Sequence, residues 1–190
     1  MEIALAIIAG EYIVFIAFIF SLGFIYGGKV EKISRGYIGQ SILFVILALF
    51  AIILIRRLDP GFIVLRLIPD TQLSGVTGIL LTTAGLAFAS WARIHLGKYW
   101  SSMVIVKEGH HLIRTGPYRI VRNPMYTGML AALIGAAIAI GLLMAFIALG
   151  IIVIGIWLKI RAEEEILQEK FGDEYLLFKQ EVKALIPWIL

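Results

Sequence analysis

From Met125 to Leu158 the chain reads MYTGMLAALIGAAIAIGLLMAFIALGIIVIGIWL, thirty-four residues without a charged side chain. As one helix this run would reach about 50 Å at 1.5 Å per residue, against a bilayer core of about 30 Å. It is therefore either a single overlong helix or a hairpin of two short spans turning near Gly141. Three other segments, Ile3–Tyr26, Tyr37–Ile55 and Leu73–Ala92, are apolar enough to cross a membrane. The basic residues decide between the two foldings. With a hairpin, Lys29, Lys32, Arg35, the six Lys/Arg of the 93–123 connection and the five of the C-terminal segment share one face. That is fourteen against three, the three being Arg56, Arg57 and Arg66. A single long helix would divide them nine against eight, and cytoplasmic loops carry the excess of positive charge. The expected fold is an all-α polytopic membrane protein of five transmembrane helices, with a short helical hairpin as spans 4 and 5. Its N-terminus lies outside the cell membrane, and an amphipathic C-terminal helix lies in the cytoplasm.

Composition leaves no room for a soluble domain. The chain is 61% hydrophobic and 16% charged, where a soluble domain is nearer half and a quarter. We read one membrane domain over 1–190. Two N-terminal spans (1–72) precede a core over 73–190, made of span 3, a cytoplasmic loop 93–123, the hairpin 124–158 and a C-terminal helix 159–186. The net charge of +4 does not point to nucleic acid, because the basic residues flank apolar segments and form no aromatic-interleaved stripe. The absence of cysteine excludes disulfides, thiolate nucleophiles and thiolate metal sites. The first apolar segment is too long for a cleaved signal peptide and lacks its basic flank.

The polar chemistry gathers in two pieces that the hairpin brings to one membrane face. The first is GHHLIRTGPYRIVRNPMYTG, Gly109–Gly128. Its prolines mark turns, and Pro124 suits the first turn of the next span. That helix start offers free N–H groups and a positive dipole end for an anionic group. Arg114, Arg119 and Arg122 are either ordinary juxtamembrane anchors or ligands to that group. His110 and His111 have no third ligand at metal spacing, so no metal is expected. The second piece runs from Lys159 to Pro187. Leu167, Phe171, Tyr175, Phe178, Val182 and Leu185 recur every three or four positions, the pattern of an amphipathic helix on the membrane. Gly172–Asp173 is a possible break with Asp173 as the cap, and Pro187 is the stop. Glu163, Glu164 and Glu165 follow the last span by one turn, with Lys159 and Arg161 as their natural partners. Glu11, inside the first span, is a functional candidate or a side chain that snorkels outward. Gly128, Ala132 and Ala136 form a small-residue stripe suited to close helix packing.

Three motifs in order, LGKYWS (Leu96–Ser101), GHHLIRTGPYRIVRNPMYTG and EEEILQEKFGDEYLLF (Glu163–Phe178), resemble the isoprenylcysteine carboxyl methyltransferase family and the wider group of membrane phospholipid methyltransferases. The resemblance covers about Arg93 to Pro187. The family pattern is G-H-x-L, then G-P-Y-x-x-x-R-H-P-x-Y-x-G, a hydrophobic hairpin, and E-E-x-x-L-x-x-x-F-G-x-x-Y. It implies methyl transfer from S-adenosylmethionine, leaving S-adenosylhomocysteine, to a lipophilic substrate that enters from the bilayer. By carry-over, His110, His111, Leu112, Ile113, Tyr118, Asn123, Pro124, Tyr126, Glu163 and Glu164 would hold the cofactor. Arg122, Asn123, Tyr126 and Glu163 would stand at the reaction, and Lys159 or Arg161 would meet a substrate carboxylate. The chain departs from the pattern at Asn123, where the family has histidine. Asparagine still donates a hydrogen bond but does not relay a proton. A carboxylate acceptor, ionised at neutral pH, tolerates that loss better than an amine. No Gly-rich strand–turn–helix unit is present, which excludes a Rossmann-type methyltransferase. The alternatives are lipid N-methylation, an NADPH-dependent reductase, and a non-catalytic scaffold binding anionic lipid.

Overall fold

The computed structural model describes residues 2–25, 30–33, 61, 64–97, 105–107 and 112–187. The expected second span, 37–55, and His110 and His111 lie outside them. Among the described residues the fold is mostly helical: α1 (Glu2–Ile25), α2 (Gln72–Leu96), α3 (Pro124–Ile140), α4 (Leu143–Phe171) and α5 (Asp173–Glu181). Three helices, α1, α2 and α4, are long and apolar enough to cross a membrane, and α3 is a shorter apolar helix of seventeen residues. One short antiparallel strand pair, β1 (Val30–Ile33) with β2 (Ile105–Lys107), adds to the helices the sequence suggests. It joins two connections that the charge count assigns to one face.

The uncharged run divides at Gly141. The backbone there turns left-handed at φ 70° and α3 ends, while α4 begins two residues later. A glycine takes this conformation without steric cost. The turn is also covered. The N–H groups of Leu67 and Ile68 donate to the Gly141 carbonyl at 2.8 and 3.2 Å, and Leu143 N–H donates to Leu65 O at 2.8 Å. Arg66 Nη2 donates to Ile140 O at 3.1 Å. Carbonyls that hydrocarbon could not satisfy thus find donors in the 65–68 segment.

α2 and α3 run antiparallel with their backbones nearly touching. A Cβ on Gly78 would stand 2.6 Å from Ala139 Cβ, one on Gly85 2.5 Å from Gly128 O, and one on Gly135 2.7 Å from Thr82 N. Facing stripes, Gly78–Thr82–Gly85–Ala89 and Gly128–Ala132–Gly135–Ala139, make this seam, and Thr82 Oγ1 donates to Ala132 O at 3.2 Å. The small-residue stripe is real, but it continues through Gly135 and Ala139, while Ala136 is only half-buried. A helix of 3.6 residues per turn drifts off a strict four-residue spacing. α1 packs alongside α2, with Phe15 against Leu86 and Ala89. Thr83 Oγ1 donates to Glu11 Oε1 at 2.5 Å, so Glu11 makes an interhelical hydrogen bond halfway along both helices.

Three boundaries differ from the sequence reading. Span 3 was expected to end at Ala92, but α2 continues through Arg93 and His95 to Leu96, where Gly97 caps it by donating to Arg93 O. The C-terminal helix does not start at Lys159. α4 is continuous from the membrane through Phe171, about 43 Å of helix. The break falls at Gly172, but Asp173 stands in the first turn of α5 and makes no side-chain cap, and α5 ends at Glu181, six residues before Pro187.

Gly85→Ala and Gly128→Ala are expected to destabilise the protein by about 1–3 kcal/mol each, because backbone on the facing helix must move. Gly10→Ala, where a Cβ meets nothing within 4 Å, is the control. Thermal unfolding in detergent should show a lowered midpoint for the first two alone.

Candidate functional site

The end of the bundle where α2 stops and α3 starts collects the polar residues. Ile156 and Ile160 of α4 pack with Leu185 against Tyr126 and Leu130 of α3. This contact returns α4 to the start of α3 and sets Glu163 and Glu164 one turn further along. The two neighbouring carboxylates then take different directions.

Glu164 belongs to a clamp. Arg122 donates to Glu164 Oε1 from Nε at 2.9 Å and from Nη2 at 2.8 Å. Its Nη1 donates to Lys179 O at 3.2 Å and also to Val182 O. Lys179 Nζ meets Glu164 Oε2 at 3.1 Å. The Arg122 and Glu164 side chains are only 9% and 12% exposed, so this pair is largely withdrawn from water. Burial and the Glu164 charge push the Tyr175 phenol well up from its ordinary range, with Arg122 opposing. One guanidinium therefore ties the chain before α3 to α4, α5 and the segment after it. A planar fork with five donors suits this role and a lysine does not.

The start of α3 is occupied in the same way. Arg122 N–H donates to Lys183 O at 2.7 Å and Asn123 N–H to Ala184 O at 3.0 Å. Asn123 Nδ2 reaches the same Ala184 oxygen at 3.3 Å, and Thr127 Oγ1 donates to Leu185 O at 2.8 Å. Carbonyls of the 183–185 segment thus pack beside the N-cap of α3. Pro124 is fully buried at N1 of the helix. On the outside, Arg114 pairs with Glu181 and stands 5.3 Å from the Phe178 ring centroid.

Glu163 belongs to a second cluster. Tyr126 donates its hydroxyl to Glu163 Oε1 at 2.8 Å, and Lys159 Nζ stands 5.7 Å from the Tyr126 ring centroid. Arg161 turns elsewhere, onto the Trp157 ring at 5.2 Å. Of the two basic residues named for a substrate carboxylate, Lys159 is beside Tyr126 and Glu163, and Arg161 is exposed on Trp157. Tyr118 is buried at 8% exposure in a short 3-10 turn, Gly116–Arg119. Burial and the nearby Glu163 charge raise its phenol, against the pull of Arg93. Leu112 and Ile113 are half-buried on the chain leading into that turn, and Arg119 is exposed. Among the described residues no group of three His, Asp or Glu could hold a metal.

Sequence reasoning missed the last turn of α2. Arg93, 1% exposed, and His95 were read as loop. His95 stacks on Tyr118 with ring centroids 6.3 Å apart. The basic residues of Arg-Ile-His-Leu-Gly mark the end of a helix rather than the start of a loop, which is the signal that could have found them.

An integral membrane chain with this hairpin and this polar end has known counterparts. Residues 73–174, more than half of the sequence, match the family model of phospholipid methyltransferases, and the protein belongs to that family. It is 34% identical to the protein-S-isoprenylcysteine O-methyltransferase of Saccharomyces cerevisiae over 125 residues, 63% of this chain and 51% of the yeast protein. It is 26% identical to protein-S-isoprenylcysteine O-methyltransferase B of Arabidopsis thaliana, over 59% of this chain and 58% of that one. A stretch of 71 residues is 39% identical to methanethiol S-methyltransferase 1 of Bradyrhizobium diazoefficiens, 37% of this chain and 24% of that one. The structure resembles that of the eukaryotic intramembrane Ras methyltransferase, isoprenylcysteine carboxyl methyltransferase, with a TM-score of 0.54 and 25% identity. That match covers 62% of this chain and 43% of the other. The chain spans about half the length of the curated relatives it matches. The resemblance read from the three motifs therefore holds.

Because removing one partner of a buried pair strands the other charge, Arg122→Ala should cost about 3–5 kcal/mol, and Arg122→Lys should recover only a small part. Thermal unfolding of the two variants beside wild type checks this.

Proposed function

We propose that the protein is a membrane methyltransferase using S-adenosylmethionine, and that its acceptor is the carboxylate of a lipidic, isoprenylcysteine-like substrate. The observation that carries this reading is the cluster of Tyr126, Glu163 and Lys159, set by motif residues at the polar end of a membrane hairpin. Three named relatives, all methyltransferases, support the reaction class.

The side chains of the site fit the cofactor. S-adenosylmethionine presents an aromatic base, ribose hydroxyls, an ammonium group and a carboxylate. Aromatic faces at Tyr118 and Tyr126, a carboxylate at Glu163 and a cation at Lys159 are the matching set, with the chain at Leu112 and Ile113 as its apolar edge. His110 and His111 complete the set in the family pattern. When bound, the cofactor supplies a methyl group on a sulfonium, already activated to leave. The protein's part is then to bind and align. Tyr126 holds Glu163 in place, Glu163 accepts hydroxyl or ammonium hydrogens, and Lys159 attracts an anionic acceptor. An ionised carboxylate needs no general base, which agrees with Asn123 in place of histidine. Alignment of this kind can supply several kcal/mol.

Glu164 and Arg122 fit a supporting role, since the Arg122–Glu164 bonds and Lys179 leave them committed to the clamp. The face bearing the site is assigned to the cytoplasm of a cell membrane by the excess of basic residues there. N-methylation of a phospholipid headgroup is the second reading, favoured by the family that residues 73–174 match.

Calorimetric titration of S-adenosylhomocysteine into detergent-purified protein tests the cofactor. Binding near one per chain is expected, with at least a tenfold loss in Glu163→Ala at unchanged thermal stability. No binding by folded wild type would refute the reading. Methyl transfer to a prenylated cysteine analogue, to phosphatidylethanolamine and to a short thiol then separates the acceptor classes. The carboxylate reading requires the first to dominate and to weaken in Lys159→Met.

A further inference from the structure

Arg93 and His95, in the last turn of α2, precede the first motif and stand outside the clamp and the Glu163 cluster. Yet that turn enters the loop that carries Tyr118. His95 Nε2 and Thr115 Oγ1 share a hydrogen bond of 2.8 Å. The imidazole lies nearly parallel to the Tyr118 ring, at an interplanar angle of 24°. Between these two contacts sits Gly116, at φ 58°, where a Cβ would stand 2.7 Å from His95 Cε1 and 2.9 Å from both ring nitrogens. The loop backbone is therefore pressed flat against the imidazole at a residue that only glycine fits comfortably. Beneath it Arg93 is fully buried and donates from Nη1 to Gly97 O at 3.0 Å, holding the helix end that bears His95.

We propose that His95 is a positioning residue for the cofactor: the end of α2 forms a third wall of the site, and the imidazole sets the Tyr118 ring by gripping the loop at Thr115, Gly116 and Tyr118. This rests on the reading that the site holds S-adenosylmethionine. His95 touches no reacting atom and acts through Tyr118. Loss of the imidazole leaves the Tyr126–Glu163 cluster and the acceptor side intact. The effect thus falls on cofactor affinity rather than on turnover.

The test is calorimetric titration of S-adenosylhomocysteine, with kcat and KM for S-adenosylmethionine measured on a prenylated cysteine analogue and thermal midpoints taken alongside. His95→Ala should weaken binding and raise KM by about tenfold, with kcat within about twofold of wild type. His95→Phe, which keeps a stacking ring, should recover most of that loss. Gly116→Ala should weaken binding as well. The double variant should be less impaired than the two losses multiplied, because removing the ring makes room for the new methyl group. Wild-type affinity and KM in His95→Ala would overturn the role of His95 alone. So would equal losses in His95→Ala and His95→Phe at wild-type thermal midpoints. A folded wild type that binds no S-adenosylhomocysteine would overturn the functional reading, and the role of His95 with it.

Discussion

Where two helices meet without side chains between them, their relative position is set by backbone and allows little slack. The seam between α2 and α3 is of this kind, with Gly78, Gly85, Gly128 and Gly135 at the points of approach. In lipid there is no hydrophobic gain from bringing two apolar helices together, so the association rests on close packing and on bonds such as Thr82 to Ala132. Everything at the polar end inherits that geometry. The register of α2 on α3 decides that the last turn of α2, with Arg93 and His95, stands beside the first turn of α3, with Tyr126. A larger residue in the seam would displace the walls of the site relative to one another without touching either.

The second constraint is the separation of two adjacent carboxylates. Consecutive helix positions differ by about 100° in direction, so Glu163 and Glu164 cannot serve one neighbour. Glu164 faces Arg122, Lys179 and the buried Tyr175 side, and its bonds close the C-terminal segment over the start of α3. Glu163 faces Tyr126 and Lys159. A single EE pair thus serves two separate clusters. Two carboxylates crowded onto one ligand would repel each other, whereas here one pairs with an arginine fork and the other accepts from the Tyr126 hydroxyl.

The hairpin was legible because its signals are local and strong. A charge-free run of this length has few foldings, Gly141 is the residue for a left-handed turn, and the basic residues choose the topology. The three motifs were legible as a resemblance, and the described residues of the second and third meet at one end of the bundle. What stayed hidden has a common cause. Lys183, Ala184 and Leu185 act through their carbonyl oxygens, and a backbone acceptor leaves no trace in residue type. The packing of the C-terminal segment against the start of α3 stayed out of sight for that reason. His95 was hidden differently. Its partner Gly116 is twenty-one residues away, and a glycine reports only that something comes close, not what. Sequence periodicity also could not tell that α4 runs unbroken out of the membrane, because an apolar span and an amphipathic helix joined end to end share one 3.6-residue period.

The short arms of the hairpin bear on where the two substrates would meet. α3 spans about 25 Å, and the apolar part of α4, Leu143–Leu158, about 24 Å. Both fall short of a core of about 30 Å. A short span draws the bilayer thinner around it or pulls its polar flanks inward. In either case Tyr126, Lys159 and Glu163 are expected at the level of the headgroups rather than clear of them. A lipid-anchored acceptor need not leave the bilayer to reach that depth, and a water-soluble cofactor need not enter hydrocarbon. On the proposed reading, the length of the hairpin is therefore part of the catalytic design. Lengthening either arm by a turn would lift the polar cluster by about 5 Å and separate it from the reactive end of a membrane-held substrate, even with every site residue unchanged.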